Sequence, residues 1–354
     1  MSSPGNPPVT NHASRVSDTG ERALIERIRR RVPAAPPELL IGIGDDAAVA
    51  APDRGALQVL TTDALVEGVH FDRRFSTPSD IGYKALAVNI SDVASMGGTA
   101  RFALLSLMLP AETTLDEVDG LLDGVLSLAA ETRVTLAGGN ITRSPGPLVV
   151  DVTVIGSVKP RKILTRGGGR AGDALYVTGR IGAAAAGLGW LRAEAERQVE
   201  GLLVPRPADA LQGECVARYC RPEPRARIGA LLGRTRTASA CMDLSDGLAD
   251  AVTQLAIASE TGAAIDASLL PIHPGAASWF TVAGQDAVAG CVAGGDDYEL
   301  LFAVPRRTRS RLRGVLHEAR GVPITRIGEL TPERTIGLAR AGQIEPLPRG
   351  FVHF

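Results

Sequence analysis

Two periods of apolar spacing divide this 354-residue chain into elements. Leu24, Ile25 and Ile28 recur at helical spacing behind Asp18 or Thr19, either of which can cap a first helix. LLIGIGDDAAVA reads as a strand running into a turn, and LQVLTTDAL (57–65) alternates and is rich in Val and Thr, which predicts a strand. Ser79 and Asp80 then open a helix carrying Ile81, Leu86, Val88, Ile90 and Val93, closed by Gly97-Gly98. RFALLSLMLP (101–110) predicts a buried strand that Pro110 ends. Thr114 to Glu131 predicts a second helix with Leu115, Val118, Leu121, Leu122, Val125 and Leu128 on one face. VTLAGGN and PLVVDVTVIGSV add two strands. After the opening helix the order is β-β-α-β-α-β-β, which a plain doubly wound sheet does not accommodate.

KPRKILTRGGGRAG (159–172) marks a domain junction by its Pro, Gly and basic residues. Beyond it DALYVTG predicts a strand and IGAAAAGLGWLRAEAE a helix of small residues, followed by loop and a short helix from Pro205 to Arg227. ASACMDLSDGLADAVTQLAIASETG reads as strand, turn and a long helix stopped at Gly262. GAAIDAS, ELLFAVP, a basic helix (306–320) and RIGEL complete a second mixed half. The expected fold class is therefore α+β (mixed α/β) in two domains, 18–158 and 159–354. They follow a polar, Pro/Ser-rich tail, 1–17, expected to be disordered.

Composition narrows the function classes. The formal net charge of −1 asks for neither nucleic acid nor an anionic membrane. No apolar run reaches the ~18 residues of a membrane span, and the N-terminus has no hydrophobic region for a signal peptide. Cys215, Cys220, Cys241 and Cys291 form no CxxC pair, against a zinc site or a disulfide framework. A cytoplasmic location is the expectation.

The chemistry concentrates in Asp-bearing turns: GIGDDAAV, TTDALVEGVHF, AVNISDVASMGG, LAGGNITR, CMDLSDGLAD and AGGDDYELLF. No Gly-Lys dipeptide occurs, so a P-loop is excluded, and no HRD or DFG string is present. Gly42-x-Gly44-x-x-Ala47 and Gly167-x-Gly169-x-x-Gly172 match a dinucleotide fingerprint only weakly, the first for its aspartates, the second for preceding a strand. Asp243 and Asp246 share the first turn of a helix if it starts at that junction, although simple capping accounts for them as well. Asn89 and Asp92 lie one turn apart on an otherwise apolar helix, where a carboxylate is costly unless paired or metal-bound. Carboxylates gathered from several such turns repel one another unless cations sit between them, which points to a site for several Mg²⁺. His70 in EGVHF reads as structural or catalytic, and Arg166 before its triple glycine as a phosphate contact or a solvated loop residue.

In order and wording these strings, with YKALAVNISDVASMG, LTRGGGRAGDALYVTG and the closing GFVHF, resemble the thiamine-monophosphate kinase family, part of the aminoimidazole ribonucleotide synthetase-like superfamily. The resemblance runs from about Gly20 to the C-terminus. It implies a two-domain fold whose N-terminal mixed sheet dimerises and whose C-terminal α+β domain closes the cleft. It further implies a homodimer holding ATP and several Mg²⁺, and transfer of phosphate from ATP to thiamine monophosphate. By position, Asp46, Thr61, Thr62, Asp63, Asp92, Asn140, Asp243 and Asp246 match metal positions. Gly139, Asn140, Arg166 and Ser245 match ATP contacts, and His70, Asp296 and Phe351 match acceptor contacts, with Asp92, Asp246 and Arg166 carrying the chemistry. Two positions depart from the family: Asn140 stands where Asp is common, and Asp296 where Glu is common. The alternatives are an ATP-using enzyme of the same superfamily with another acceptor, or a non-catalytic ATP- and Mg²⁺-binding homologue, which Asn140 favours.

Overall fold

A computed structural model of the chain describes residues 14–198 and 202–350. Residues 1–13 of the expected tail and Phe351 lie outside the described residues. The rest of the tail is built into the fold: Val16–Thr19 forms a short helix (α1), and the Val16 amide donates to the Thr113 carbonyl at 2.9 Å. Gly20, at φ +79°, separates it from α2 (Glu21–Arg31), so the expected cap at Asp18 or Thr19 instead belongs to a helix that ends there.

β1 (Leu39–Ile41) and β2 (Val49–Ala50) form a small hairpin. β3 (Leu57–Val66), α3 (Pro78–Ser95), β4 (Thr99–Leu109), α4 (Leu115–Thr132), β5 (Thr135–Arg143) and β6 (Val149–Val158) follow. Their strands make a four-stranded sheet in the order β3-β6-β4-β5, parallel only between β4 and β5. Both helices start with capping boxes. Thr77 accepts from the Asp80 amide and Thr114 from the Glu117 amide, so α3 begins one residue before the expected Ser79, with Pro78 in the first turn where no amide is missed. α3 is buried on nearly every side, as a helix apolar all round must be.

The second half contains β7 (Ala174–Thr178), α5 (Ala183–Ala195), α6 (Ala210–Cys220), α7 (Ala226–Thr235), β8 (Ala240–Asp243), α8 (Leu248–Ala258) and β9 (Gly262–Asp266). α9 (Pro274–Val282), α10 (Ala287–Ala293), β10 (Leu300–Val304), α11 (Arg309–Glu318), β11 (Ile324–Thr331), β12 (Ile336–Arg340) and β13 (Gln343–Pro346) complete it. Its seven strands order as β13-β12-β9-β11-β7-β10-β8, antiparallel except at β12-β9. The pattern reading missed α7, α9, α10, β12 and β13, whose alanines, glycines and short lengths blur any period. α8 starts at Leu248 behind Gly247, later than expected, so Asp243 ends a strand and Asp246 lies in the turn. No described helix is long and apolar enough to cross a membrane.

α3 and α4 approach most closely where glycines remove side chains. A Cβ on Gly82 would lie 1.9 Å from the Leu121 carbonyl oxygen, and one on Gly124 would lie 2.0 Å from that of Ser79. Gly124→Ala should therefore cost about 1–3 kcal/mol by overpacking. Gly314→Ala, on α11 with open space around it, should be neutral or stabilising by up to about 1 kcal/mol. Urea unfolding of both variants checks the contrast.

Candidate active site

Strand parity decides which side chains of TTDAL enter the cleft. In the β3–β6 ladder Thr61 pairs with Val154 and Asp63 with Val152, both fully buried valines beneath α3. Thr61 and Asp63 therefore face α3, and Thr62 points to the opposite face, where its hydroxyl donates to Asp151 Oδ1 at 3.0 Å. From α3 Asp92 meets the first pair: Thr61 Oγ1 donates to Asp92 Oδ2 at 2.5 Å, and the Asp63 and Asp92 carboxyls are hydrogen-bonded to each other. From the second half Asp243, buried at the end of β8, accepts from Ser91 Oγ at 2.7 Å. Arg166, exposed in the junction segment, lends positive charge to both Asp92 and Asp243 while its Nη1 donates to Gln254 Oε1.

These carboxyls hold protons unusually tightly. Burial, followed by the charges of Asp92 and Asp151, pushes Asp63 up to about 6. Burial also raises Asp92, against the Thr61 hydroxyl, the Asp63 bond and Arg166. Asp243 is pushed up to about 7, again by burial first and by Asp92 second. The trio is thus an enclosed excess of negative charge that a proton or a cation relieves.

Beside the trio opens a cavity of about 290 Å³. The first half lines it with Asp63, Leu65, Val69, His70, Val88 and Asp92, the second with Leu188, Arg192, Tyr219, Ser245, Asp246, Asp296 and Tyr298, among others. Apolar and acidic side chains both line it, and neither half makes the cavity alone.

Of the residues singled out in the sequence, Thr61, Asp63, His70, Asp92, Asp243, Ser245, Asp246 and Asp296 meet at this cleft, with Arg166 at its rim. Asp46 is exposed in the β1–β2 turn, its own amide donating to Asp45 Oδ1 at 2.9 Å, and it does not line the cavity. Gly139 and Asn140 lie on the edge strand β5, Asn140 paired in register with Ser106, and neither lines the cavity. Asn89, one turn from Asp92, is fully buried, donates from Nδ2 to the Ala85 carbonyl at 3.0 Å and does not line the cavity. The sequence reading passed over Ser91, Asp151, Arg192, Tyr219 and Tyr298. Asp151 carried a signal, being the one carboxylate in the alternating strand VVDVTVIGSV.

Among the described residues, no group of three His, Cys, Asp or Glu side chains is gathered tightly enough to hold a metal ion unaided. The donor chemistry nevertheless suits magnesium, which takes one or two carboxylates and completes its shell with phosphate oxygens and water.

The fold and the two-sided cleft define a class. Residues 44–158 match the AIR synthase related protein N-terminal domain, and residues 170–340 match its C-terminal domain. Thiamine-monophosphate kinase of Bacillus subtilis (strain 168) is 35% identical over 327 residues, covering 89% of this chain and 93% of that one. The Escherichia coli (strain K12) thiamine-monophosphate kinase is 36% identical over 341 residues, covering 95% and 98%. Among solved structures, thiamine-monophosphate kinase from Stenotrophomonas maltophilia K279a superposes with a TM-score of 0.79 at 35% identity, covering 91% of this chain and 96% of that one. AaThiL complexed with AMPPCP and TMP gives 0.73 at 28% identity, covering 97% and 100%. The hydrogenase maturation protein HypE in complex with ATP, at 18% identity and a TM-score of 0.72 over 94% of this chain and 96% of that one, shares the fold. The chain belongs to the AIR synthase related family and, within it, to the thiamine-monophosphate kinases.

The raised carboxyls give a pH signature. An Asp243 carboxyl at about 7 keeps a proton that the unfolded chain releases near its ordinary ~3.9. That residue's contribution to stability is therefore greatest below pH ~4 and is lost as pH rises through 7. Without added magnesium, Asp243→Asn should gain on the wild type between pH 4 and 8 by on the order of 3 kcal/mol. Urea unfolding at both pH values checks it, and parallel pH profiles would contradict the assignment.

Proposed function

We propose that this chain phosphorylates thiamine monophosphate to thiamine diphosphate, taking the γ-phosphoryl group of ATP directly, with Mg²⁺ held by Asp63, Asp92 and Asp243. The carrying observation is the meeting of these three aspartates, one from β3, one from α3 and one from β8, beside a cavity built from both halves and lined by Asp63 and Asp92. Family membership and the AaThiL complex with AMPPCP and TMP support the choice of substrates.

The acceptor is a phosphate monoester whose second pKa of ~6 leaves the attacking oxygen deprotonated near neutrality. No strong general base is required. The obstacle is repulsion, about 4 kcal/mol for unit charges 4 Å apart at an effective dielectric of 20. Bound Mg²⁺ supplies charge neutralisation between the two phosphates and a template for in-line displacement. Asp63, Asp92 and Asp243 hold that charge, Asp246 sits beside them in the turn, and the Arg166 guanidinium neutralises the triphosphate from the rim. Ser245 backs the nucleotide side. The apolar lining residues Leu65, Val69, Val88 and Leu188 suit the heteroaromatic rings, and Asp296 and His70, which line the same cavity, are the acceptor's proposed polar contacts.

The same reading makes residues 18–158 the dimerising unit and 159–354 the unit that closes the cleft. β3 is an edge strand of the four-stranded sheet, and Leu57 and Leu60 on it are 48% and 66% exposed. An exposed edge with apolar side chains invites pairing, and a second copy of the chain is the proposed occupant.

Two measurements test this. A coupled assay with ATP and thiamine monophosphate, the diphosphate product identified directly, should give turnover that Asp92→Ala lowers by about a thousandfold or more while the urea midpoint is retained. ADP release with other acceptors but not thiamine monophosphate would overturn the reading. For the dimer, Leu60→Glu should convert a dimeric light-scattering mass to a monomeric one.

A further inference from the structure

Lys84, in the middle of α3, has a side chain only 3% exposed. An ammonium taken so far out of water is costly unless its protons are all engaged. Its Nζ donates to Asp296 Oδ2 at 3.2 Å and to the His70 carbonyl at 3.3 Å, and lies 4.0 Å from the centroid of the Tyr219 ring, a cation–π contact. Tyr219 Oη donates to the same His70 carbonyl at 3.1 Å, and Tyr298 Oη donates to Asp296 Oδ1 at 3.3 Å. Asp296 itself stands at φ +67°, a left-handed conformation that Asp tolerates better than most residues, with its amide donating to the Ser245 carbonyl at 2.7 Å. The His70 ring is held as well, Nδ1 accepting from the Val66 amide at 3.1 Å.

One cation therefore ties together two cleft-lining residues from opposite halves of the molecule, His70 by its backbone and Asp296 by its carboxylate. We infer that Lys84 is a positioning residue for the acceptor subsite, setting the Asp296 carboxylate and the His70 segment in the geometry that receives the acceptor. It acts through those two residues and stays beneath the cavity surface, since it is not among the cavity-lining residues. The inference rests on thiamine monophosphate being the acceptor. It adds that the acceptor subsite, unlike the nucleotide side at Arg166 and Ser245, depends on this buried charge.

A purely structural ion pair would lower stability and spoil both substrates alike. A positioning role splits the kinetic constants. With Lys84→Met in the full-length protein, the KM for thiamine monophosphate should rise about tenfold or more and the KM for ATP should stay within about twofold. Lys84→Gln, which retains a donor for the His70 carbonyl, should fall between wild type and Met, and it decides the matter if the Met variant does not fold. Asp296→Asn should raise the same KM. The double variant should fall short of the summed effects of the singles, because both changes break the Lys84–Asp296 contact. Equal rises in both KM values, an unchanged KM for thiamine monophosphate, or additive effects in the double variant would overturn the assignment. Wild-type turnover of thiamine monophosphate, measured in the same series, tests the underlying reading separately: its absence removes both, whereas turnover with unsplit constants removes only the role of Lys84.

Discussion

The architecture depends on one buried helix having to satisfy a stripe of its polar side chains from the other half of the molecule. α3 lies under the four-stranded sheet and is apolar on most sides, yet Asp80, Lys84 and Ser91 fall along a single stripe of it. Each is buried, and each finds its partner in the second half. Asp80 accepts from Arg206 Nη2 at 2.5 Å and from Arg221 Nε at 2.6 Å, Lys84 meets Asp296, and Ser91 meets Asp243. Apolar packing tolerates small slides, but a buried charge left without its partner does not. The stripe therefore sets both the distance and the rotation between the halves, and with them the shape of the cleft.

That docking has an electrostatic consequence. Bringing β8 against α3 carries Asp243 next to Asp92, which β3 has already supplied with Asp63. The three cannot all be comfortably ionised in so enclosed a place, and this appears as carboxyls raised towards neutrality. Such an arrangement lowers the stability of the cation-free fold, an ordinary cost of a preorganised site. Arg166 offsets part of it from the rim, where it remains accessible to an anionic ligand.

Much of the first half was legible along the chain. Long, clean periods located α3, α4, β3, β4 and β6, and the Asp-bearing turns marked most of the residues that meet in the cleft. Short, alanine- and glycine-rich helices such as α9 and α10 were not legible, because small residues leave little contrast between faces. Nor was the break at Gly20 legible, nor the late start of α8, where a glycine in an unusual backbone conformation interrupts what propensity alone would continue.

By itself the sequence determined the local periods, the supply of carboxylates and glycines, and a string order similar to that of a kinase family. Tertiary structure decided which of those carboxylates share a site. Thr61 and Asp63 enter the cleft and Thr62 turns away, because neighbouring strand residues point to opposite faces. Asp46 and Asn140 are not among the residues lining the cavity, whereas Lys84, unremarkable in a one-dimensional reading, is bonded to Asp296, which does line it. The physical reason is that an electrostatic contact depends on distance in space, and the pairs that matter, Ser91 with Asp243 and Lys84 with Asp296, become neighbours only once the two halves have packed.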